Sequence, residues 1–490
     1  MRKLRLTAAA LAVFGSAALF TGTSSEAADN GVSGKCHYEQ QQGVNPDFRT
    51  MNCLLTETAL KYDVPPEIVK AVAEGESKNW KQFDSSGNAI ITADNGIGVM
   101  QITNQSNYDT ERLKTDVLYN IQAGTEILDR MFERSDLPTI NGGERDYLEN
   151  WYFAIMAYNG IKPVNSPIIQ ATGQPNREAY QEKIMRIIEE LGLIRLADLP
   201  FKPADFEYDS NSSNNITFKT ESFDFDLPLT KTKHKFLDGQ TAAVTESVKM
   251  RTAPTTDSSV KATLNSGERV TIEGPFVYED NASKKNHFVW YPVKRSDGTT
   301  GYTASSYLEF KFKDVPAAHY AEDEIYYLTD RNILRGVSTS SFGLKQNLTR
   351  WQAVLLLVRA NDVSLSGRPD PGFKDVPESY KYYSEIAAAV DEGIFAGVTK
   401  TEFKPDAELT RAEMAVLLQR LYNFSEPAAD HPFTDVKSGE WYSDAISRIY
   451  GAGITGGLTE TRFSPSSKVT REQFAVFLTR SLNPAFRVNN

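Results

Sequence analysis

Apolar residues recur at helical spacing in the first third of the chain. Val64, Pro65 and Pro66 open the clearest case, since proline suits a first turn, and Ile68, Val69, Val72 and Ala73 then form one apolar stripe. Four residues on from Ile68 and Val72 lies Glu76, whereas Glu67, Lys70 and Glu74 fall on the polar face. A carboxyl on the buried stripe of its own helix loses hydration, which favours the protonated form at neutral pH and suits a general acid. An aromatic helix is predicted around Trp151, Tyr152 and Phe153, with Asn159 and Gly160 as its stop.

Beyond residue 200 the pattern changes. Residues 205–237 carry a polar run from Asp209 and then alternate Phe with charged residues, a composition expected to form a flexible linker. Residues 241–309 read as short strands (248–251, 269–272, 288–293) parted by turns at 255–259 and at Ser296, Asp297 and Gly298. Met250, Arg251, Thr252, Ala253 and Pro254, with 301–308, resemble the two signature positions of bacterial Src-homology-3-type (SH3) domains, which implies a small all-β barrel that binds wall peptide or spaces its neighbours. Trp290, Tyr291, Tyr302 and Tyr307 are candidates for a groove or for the core.

The last third holds three copies of one pattern, with Asp314, Asp375 and Asp435 as origins 61 and then 60 residues apart. Each has a Phe two residues earlier, an Ile at nineteen, a Gly at twenty-two, a Phe at twenty-eight and a Thr–Arg pair at thirty-five: Thr349 and Arg350, Thr410 and Arg411, Thr470 and Arg471. Self-similarity at a fixed period marks units that share a core. The pattern resembles the S-layer homology (SLH) module, which implies a mainly α three-fold assembly of modules at 311–360, 372–423 and 432–482 that grips secondary cell-wall polysaccharide, often pyruvylated. Thr followed three residues later by Gln352, Glu413 or Gln473 is also a helix capping box. Arg350, Arg411 and Arg471 have no capping role and can fork onto a carboxylate, so they are the ligand candidates, with Asp314, Asp375 and Asp435 as orienting residues.

At the other end, Arg2, Lys3 and Arg5 precede an apolar run over 6–20 and small residues near Ala27 and Ala28, the layout of a secretory signal over 1–28. Export to the surface of a Gram-positive-type bacterium is therefore expected, with no membrane anchor in the mature chain. Cys36 and Cys53 are the only cysteines, and outside the cell they are expected to pair, with a loop closure worth about 3 kcal/mol. The net charge of −11 disfavours non-specific binding to nucleic acid or anionic polymer, so wall attachment is expected to use several placed arginines together. Five His without a ligand-spaced pair, and two Cys in no zinc pattern, argue against a metallopeptidase; no metal or cofactor is expected.

The chemistry is expected within 36–195. Glu76 with Ser77, the segment Gly96, Ile97, Gly98, Val99, Met100, Gln101 and Ile102, and the segment Ala157, Tyr158, Asn159 and Gly160 resemble, in that order, the lytic transglycosylase and goose-type lysozyme family. Residues 120–124 add a family-like helix behind the cleft. The resemblance implies a mainly α lysozyme-like domain. It also implies that Glu76 protonates the oxygen between N-acetylmuramic acid and N-acetylglucosamine in peptidoglycan and then recovers a proton from the C6 hydroxyl, closing a 1,6-anhydro ring. Ser77, Gln101, Tyr158 and Asn159 would hold the sugars, and Gly98 and Met100 would shape the cleft floor. A water-using muramidase would want a second acid, for which Asp84 and Asp94 are candidates. Thr103, where goose-type lysozymes tend to carry Asp, favours the transglycosylase. A non-catalytic wall-binding protein is the alternative from another class.

Overall fold

The computed structural model of the chain describes residues 26–489 apart from Gln105, Asp226, Asn332 and 425–429. The expected export signal, except for its last three residues, lies outside the described residues.

The N-terminal body is helical: α1 (Glu26–Lys35), α2 (Phe48–Lys61), α3 (Pro66–Ser77), α4 (Thr110–Thr115), α5 (Val117–Phe132), α6 (Tyr152–Asn159) and α7 (Tyr180–Gly192). Cys36 and Cys53 are joined, tying the end of α1 to α2. Asp47 and Asp116 cap α2 and α5 by accepting the amides of Thr50 (2.8 Å) and Tyr119 (3.0 Å). Helix α3 packs between α2 and α7, so Ile68, Val69 and Val72 are fully buried, as the stripe requires.

The polar face of α3 is covered as well, contrary to expectation: Glu67 and Lys70 are buried. Lys70 Nζ donates to the His287 carbonyl (2.9 Å) and to His234 Nε2 (2.9 Å), which leaves His234 Nδ1 to donate to Glu67 Oε1 (2.9 Å). Thr232 Oγ1 and the Lys233 amide complete the Glu67 carboxylate. Burial opposes ionisation of Glu67, but His234 and the Lys233 amide outweigh it and hold this carboxyl below its usual range. A charged face needs such partners to leave water, and here they arrive from more than 160 residues downstream.

Residues 205–237 are therefore not a free linker. Phe206, Ile216, Phe223 and Leu229 are buried against Ile140, Tyr152, Phe153 and Met156, and Ser222–Phe223 pairs in parallel with Thr139–Ile140. The alternation of Phe with charged residues is the period-two pattern of an extended segment with one wet face.

Seven antiparallel strands follow: β1 (Thr241–Val244), β2 (Val248–Arg251), β3 (Val260–Leu264), β4 (Arg269–Ile272), β5 (Trp290–Lys294), β6 (Thr300–Ala304) and β7 (Leu308–Lys311). They pair in the order β7-β1-β4-β5-β6-β2-β3. Leu308 at one end and Leu264 at the other share a core with Val244, Ile272 and Val293, so the sheet curls on itself. Trp290 and Tyr291 are buried, and only Tyr302 and Tyr307 are half-exposed, so the four aromatics do not line one groove.

The three repeats each supply two helices: α8 (Glu322–Asp330) and α9 (Arg350–Ala360), α10 (Tyr383–Asp391) and α11 (Arg411–Tyr422), α12 (Ser443–Gly451) and α13 (Arg471–Leu482). The second helix of each copy packs on the first helix of the next, α9 on α10 and α11 on α12, and α13 on α8 closes the ring. Backbone bonds on the axis run Leu409 N to Leu348 O, Val469 N to Leu409 O and Leu348 N to Val469 O, each 2.9 Å. The capping boxes at Thr410 and Thr470 form in full, whereas at Thr349 only the amide-to-Gln352 half is made (3.0 Å) and the Thr349 hydroxyl oxygen has no partner. The glycine at offset twenty-two recurs because a Cβ there would strike the Phe two residues before each origin: Gly336 on Phe312, Gly397 on Phe373, Gly457 on Phe433. The first copy also touches the N-terminal body, through Arg335 to Glu144 (2.6 Å) and Tyr147 Oη to the Thr329 carbonyl (3.2 Å).

Candidate active site

Glu76 sits in the last turn of α3, half-buried, and accepts a hydrogen bond on Oε1 from the hydroxyl of Tyr180. Burial pushes its carboxyl up to about 7; the Tyr180 bond works the other way, and the charge of Asp94 adds to the rise. A group so placed is present in both protonation states at neutral pH, the condition for giving a proton and taking it back.

Tyr180 was not among the residues expected from the sequence. It opens α7, whose Ile184 and Ile188 at spacing four mark it as one more core helix, and nothing local signals that its first residue faces a carboxyl 104 residues away. Ile184 fills the space beside Gly75, which lets α7 lie close to the end of α3. Burial, then the neighbouring Glu76 charge, raises the Tyr180 phenol well above its usual range, so it stays a donor.

The segment 96–102 is a tight loop. Ile97 and Ile102 exchange backbone bonds (3.1 Å each), and the Gly98 amide donates to Ile90 O (2.8 Å). Gly98 has φ +73°, and the side-chain amides of Gln82 and Asn120 occupy the place of a Cβ, so no other residue fits. Asn120 of α5 accepts the Met100 amide on Oδ1 (2.9 Å) and donates to Ile97 O (2.8 Å), which gives the helix behind the loop a holding role. Met100 is wholly buried. Gln101 donates to Gly98 O (2.6 Å) and accepts from Thr92 Oγ1 (2.6 Å).

Tyr158 Oη donates to Met100 O (2.6 Å), which ties α6 to this loop, and the charge of Glu76 reaches Tyr158. Asn159 is exposed, and its Oδ1 accepts from Asn165 Nδ2 (2.9 Å); Asn165 Oδ1 in turn accepts the Tyr180 amide (3.2 Å). Ser77 Oγ donates to Ala73 O of its own helix (3.0 Å). Glu76, Tyr158, Tyr180 and the Met100 backbone thus converge, while Ser77 and Gln101 engage the protein itself. Asp84 caps a turn through the amides of Ser86 and Asn88 (2.8 and 3.0 Å), whereas Asp94, exposed at the rim, is the carboxylate whose charge reaches Glu76.

In the ring the three arginines are buried, and each donates across the joint between copies. Arg350 Nε donates to Phe403 O (2.9 Å), Arg411 Nε to Phe463 O (2.7 Å) and Arg471 Nε to Phe342 O (3.0 Å), so each copy is bonded to the next and the third to the first. Nη2 of Arg350 and Arg471 donates to Ala396 O and Arg335 O. Nη2 of Arg411 has no partner. Asp314, Asp375 and Asp435 each accept two amides of the loop in their own copy, those of Phe342 and Gly343, Phe403 and Lys404, Phe463 and Ser464. The aspartates fix the loops to which the arginines are fastened, and each guanidinium, a ligand candidate from the sequence, lies buried at the joint between copies.

Family profiles match each part. The transglycosylase SLT domain matches 54–181, the bacterial SH3 domain 246–309, and the S-layer homology domain 311–354, 372–415 and 432–475. Among curated proteins the chain is similar to the surface-layer 125 kDa protein of Lysinibacillus sphaericus (29% identical over 167 residues, 33% of this chain and 14% of that protein). It is also similar to an S-layer protein of Bacillus licheniformis (30% over 171 residues, 34% and 19%) and an endoglucanase of Bacillus sp. strain KSM-635 (31% over 172 residues, 34% and 18%). These matches span about a third of this chain and less than a fifth of each relative. The geometry and the profiles agree: the chain carries, in this order, a transglycosylase SLT domain, a bacterial SH3 domain and three S-layer homology domains.

Proposed function

We propose that the chain is a cell-surface lytic transglycosylase that cuts peptidoglycan glycan strands between N-acetylmuramic acid and N-acetylglucosamine while its three repeats hold it to secondary cell-wall polysaccharide of the pyruvylated kind. The observation that carries the enzymatic half is Glu76, half-buried at the end of α3 under the Tyr180 hydroxyl, with its carboxyl near 7. In the protonated form Glu76 gives its proton to the glycosidic oxygen as that bond breaks. Its carboxylate then takes the proton of the C6 hydroxyl as the muramyl O6 closes on C1, so no water enters and Glu76 is regenerated. Tyr180 steadies the carboxylate between the two steps. Tyr158 holds the Met100 backbone in place, and exposed Asn159 is the residue best placed to meet sugar. The S-layer names of the relatives support the anchoring half.

Mass spectrometry of muropeptides released from purified walls tests this. Anhydro-muramyl ends from the wild type and none from Glu76→Gln are expected. Reducing muramyl ends would make the protein a muramidase with Asp94 as the water-activating base; no release by the wild type would leave a wall-binding protein.

A further inference from the structure

The chain leaves the end of α3 through a costly turn. Lys78, Asn79 and Trp80 have φ of 43°, 59° and 53°, three successive side-chain-bearing residues at positive φ. L-residues take positive φ singly and avoid runs, so the turn must be imposed by its surroundings. Part of the restraint is local: the Lys78 amide donates to Glu74 O (3.0 Å), the Asn79 amide to Glu74 Oε2 (3.0 Å) and Trp80 Nε1 to Lys70 O (2.9 Å).

The rest comes from the barrel. Its loop 279–288 lies against this turn, where Lys285 Nζ donates to Glu74 Oε1 (2.8 Å) and to Asn79 Oδ1 (2.8 Å). The Lys285 and Glu74 side chains are only 18% and 12% exposed, so the pair is shielded from solvent in a way that surface ion pairs are not. The His287 ring lies 4.6 Å from that of Trp80, and its carbonyl receives Lys70. The loop itself is fixed at both ends. Asn52 of α2 donates to Asn286 O (2.8 Å) and Phe288 O (3.1 Å), and buried Glu279 receives Asn286 Nδ2 (2.6 Å) and Trp290 Nε1 (3.1 Å).

The turn is joined to both halves of the site. Ser77 immediately precedes it, and Glu76 lies two residues before Lys78. Two residues after Trp80, Gln82 receives the Val99 amide on Oε1 (2.9 Å) and donates to Leu113 O (2.7 Å), which fixes the loop around Gly98. We propose that the SH3 barrel is a working part of the active site: its loop 279–288, through Lys285, sets the turn at 78–80 and thereby the relative placement of Glu76 and the Gly98 loop. Lys285 is a positioning residue for glycan cleavage. The inference rests on the enzymatic reading above and removes the need for a wall ligand on the barrel.

The test uses the full-length chain on soluble, peptide-free glycan strands, which a wall-binding module would not help it to find. Lys285→Ala is expected to lower kcat at least tenfold with KM within twofold, and Lys285→Arg, which keeps the donor, to restore most of the rate. Lys285→Met, which keeps the alkyl stem, replaces the alanine variant if that one fails to fold. Wild-type kcat in a folded Ala or Met variant overturns the inference, as does a loss confined to intact walls, which would return the barrel to wall binding. A wild-type chain that leaves the soluble strands uncut overturns the enzymatic reading and this inference with it, whereas an active wild type beside equally active variants overturns this inference alone.

Discussion

Tyr180→Phe deletes the hydroxyl that donates to Glu76 Oε1 and keeps the ring in its packing. The bond favours the ionised carboxylate, and burial favours the protonated one; with both acting, the carboxyl stands at about 7. A hydrogen bond to an ionised group is worth about 1.5–3 kcal/mol. Glu76 is half-buried, so water replaces part of the loss and the lower end applies, which corresponds to about one pH unit. The sign follows from the state that is lost. Without the donor the carboxylate is less favoured, so the pKa rises. A general acid works while protonated, so turnover falls as pH climbs through its pKa. The alkaline limb of the profile should therefore move upward by about one pH unit in Tyr180→Phe, measured as kcat for release of anhydro-muramyl ends from soluble glycan strands between pH 5 and 9. A limb that stays in place, or moves to lower pH, would refute either the role of this bond or the identity of Glu76 as the acid.

Three further outcomes are expected. Folding raises Glu76 from its usual 4.5 to about 7, so the folded chain loses stability as pH climbs through that window, by up to about 3 kcal/mol; Glu76→Gln should release no glycan ends yet melt higher than wild type at pH 8 and not at pH 4. Arg411→Ala leaves the Phe463 carbonyl without its buried donor and should destabilise the ring by about 2–4 kcal/mol in thermal unfolding, with Arg411→Lys recovering little because an ammonium at the end of a longer stem does not place a donor where Nε stands; lost wall binding with unchanged melting would show instead that the guanidinium serves a ligand. Gly98→Ala must adopt φ +73° against the Gln82 and Asn120 amides, and should cost at least about 1–2 kcal/mol and abolish turnover with Glu76 still in place, read by melting and by muropeptide release.

What was legible in the sequence is what near neighbours decide. The stripe Ile68, Val72, Glu76 on α3 required only a helical period, and the capping boxes at Thr410 and Thr470 only a spacing of three. The threefold repetition required only comparison of the chain with itself. Each of these is a short-range rule, satisfied within one or two turns of helix or by a fixed period.

The errors share the opposite cause. The polar face of α3 looked wet because Thr232, His234 and His287, which cover it, lie far downstream. The carbonyls that the arginines hold were not legible because they belong to the next copy, and in the third copy to the first. Residues 205–237 looked loose because their period-two Phe pattern needs the aromatic cluster around Phe153 to have a face to bury. The sequence by itself determined the domains, their order and the candidate acid, since periodicity and motif spacing are properties of contiguous chain. The partner of that acid, Tyr180, and the company of its helix were decided by tertiary packing alone, because burial and hydrogen-bond pairing depend on which distant surfaces meet, and a local pattern states only that a surface seeks cover.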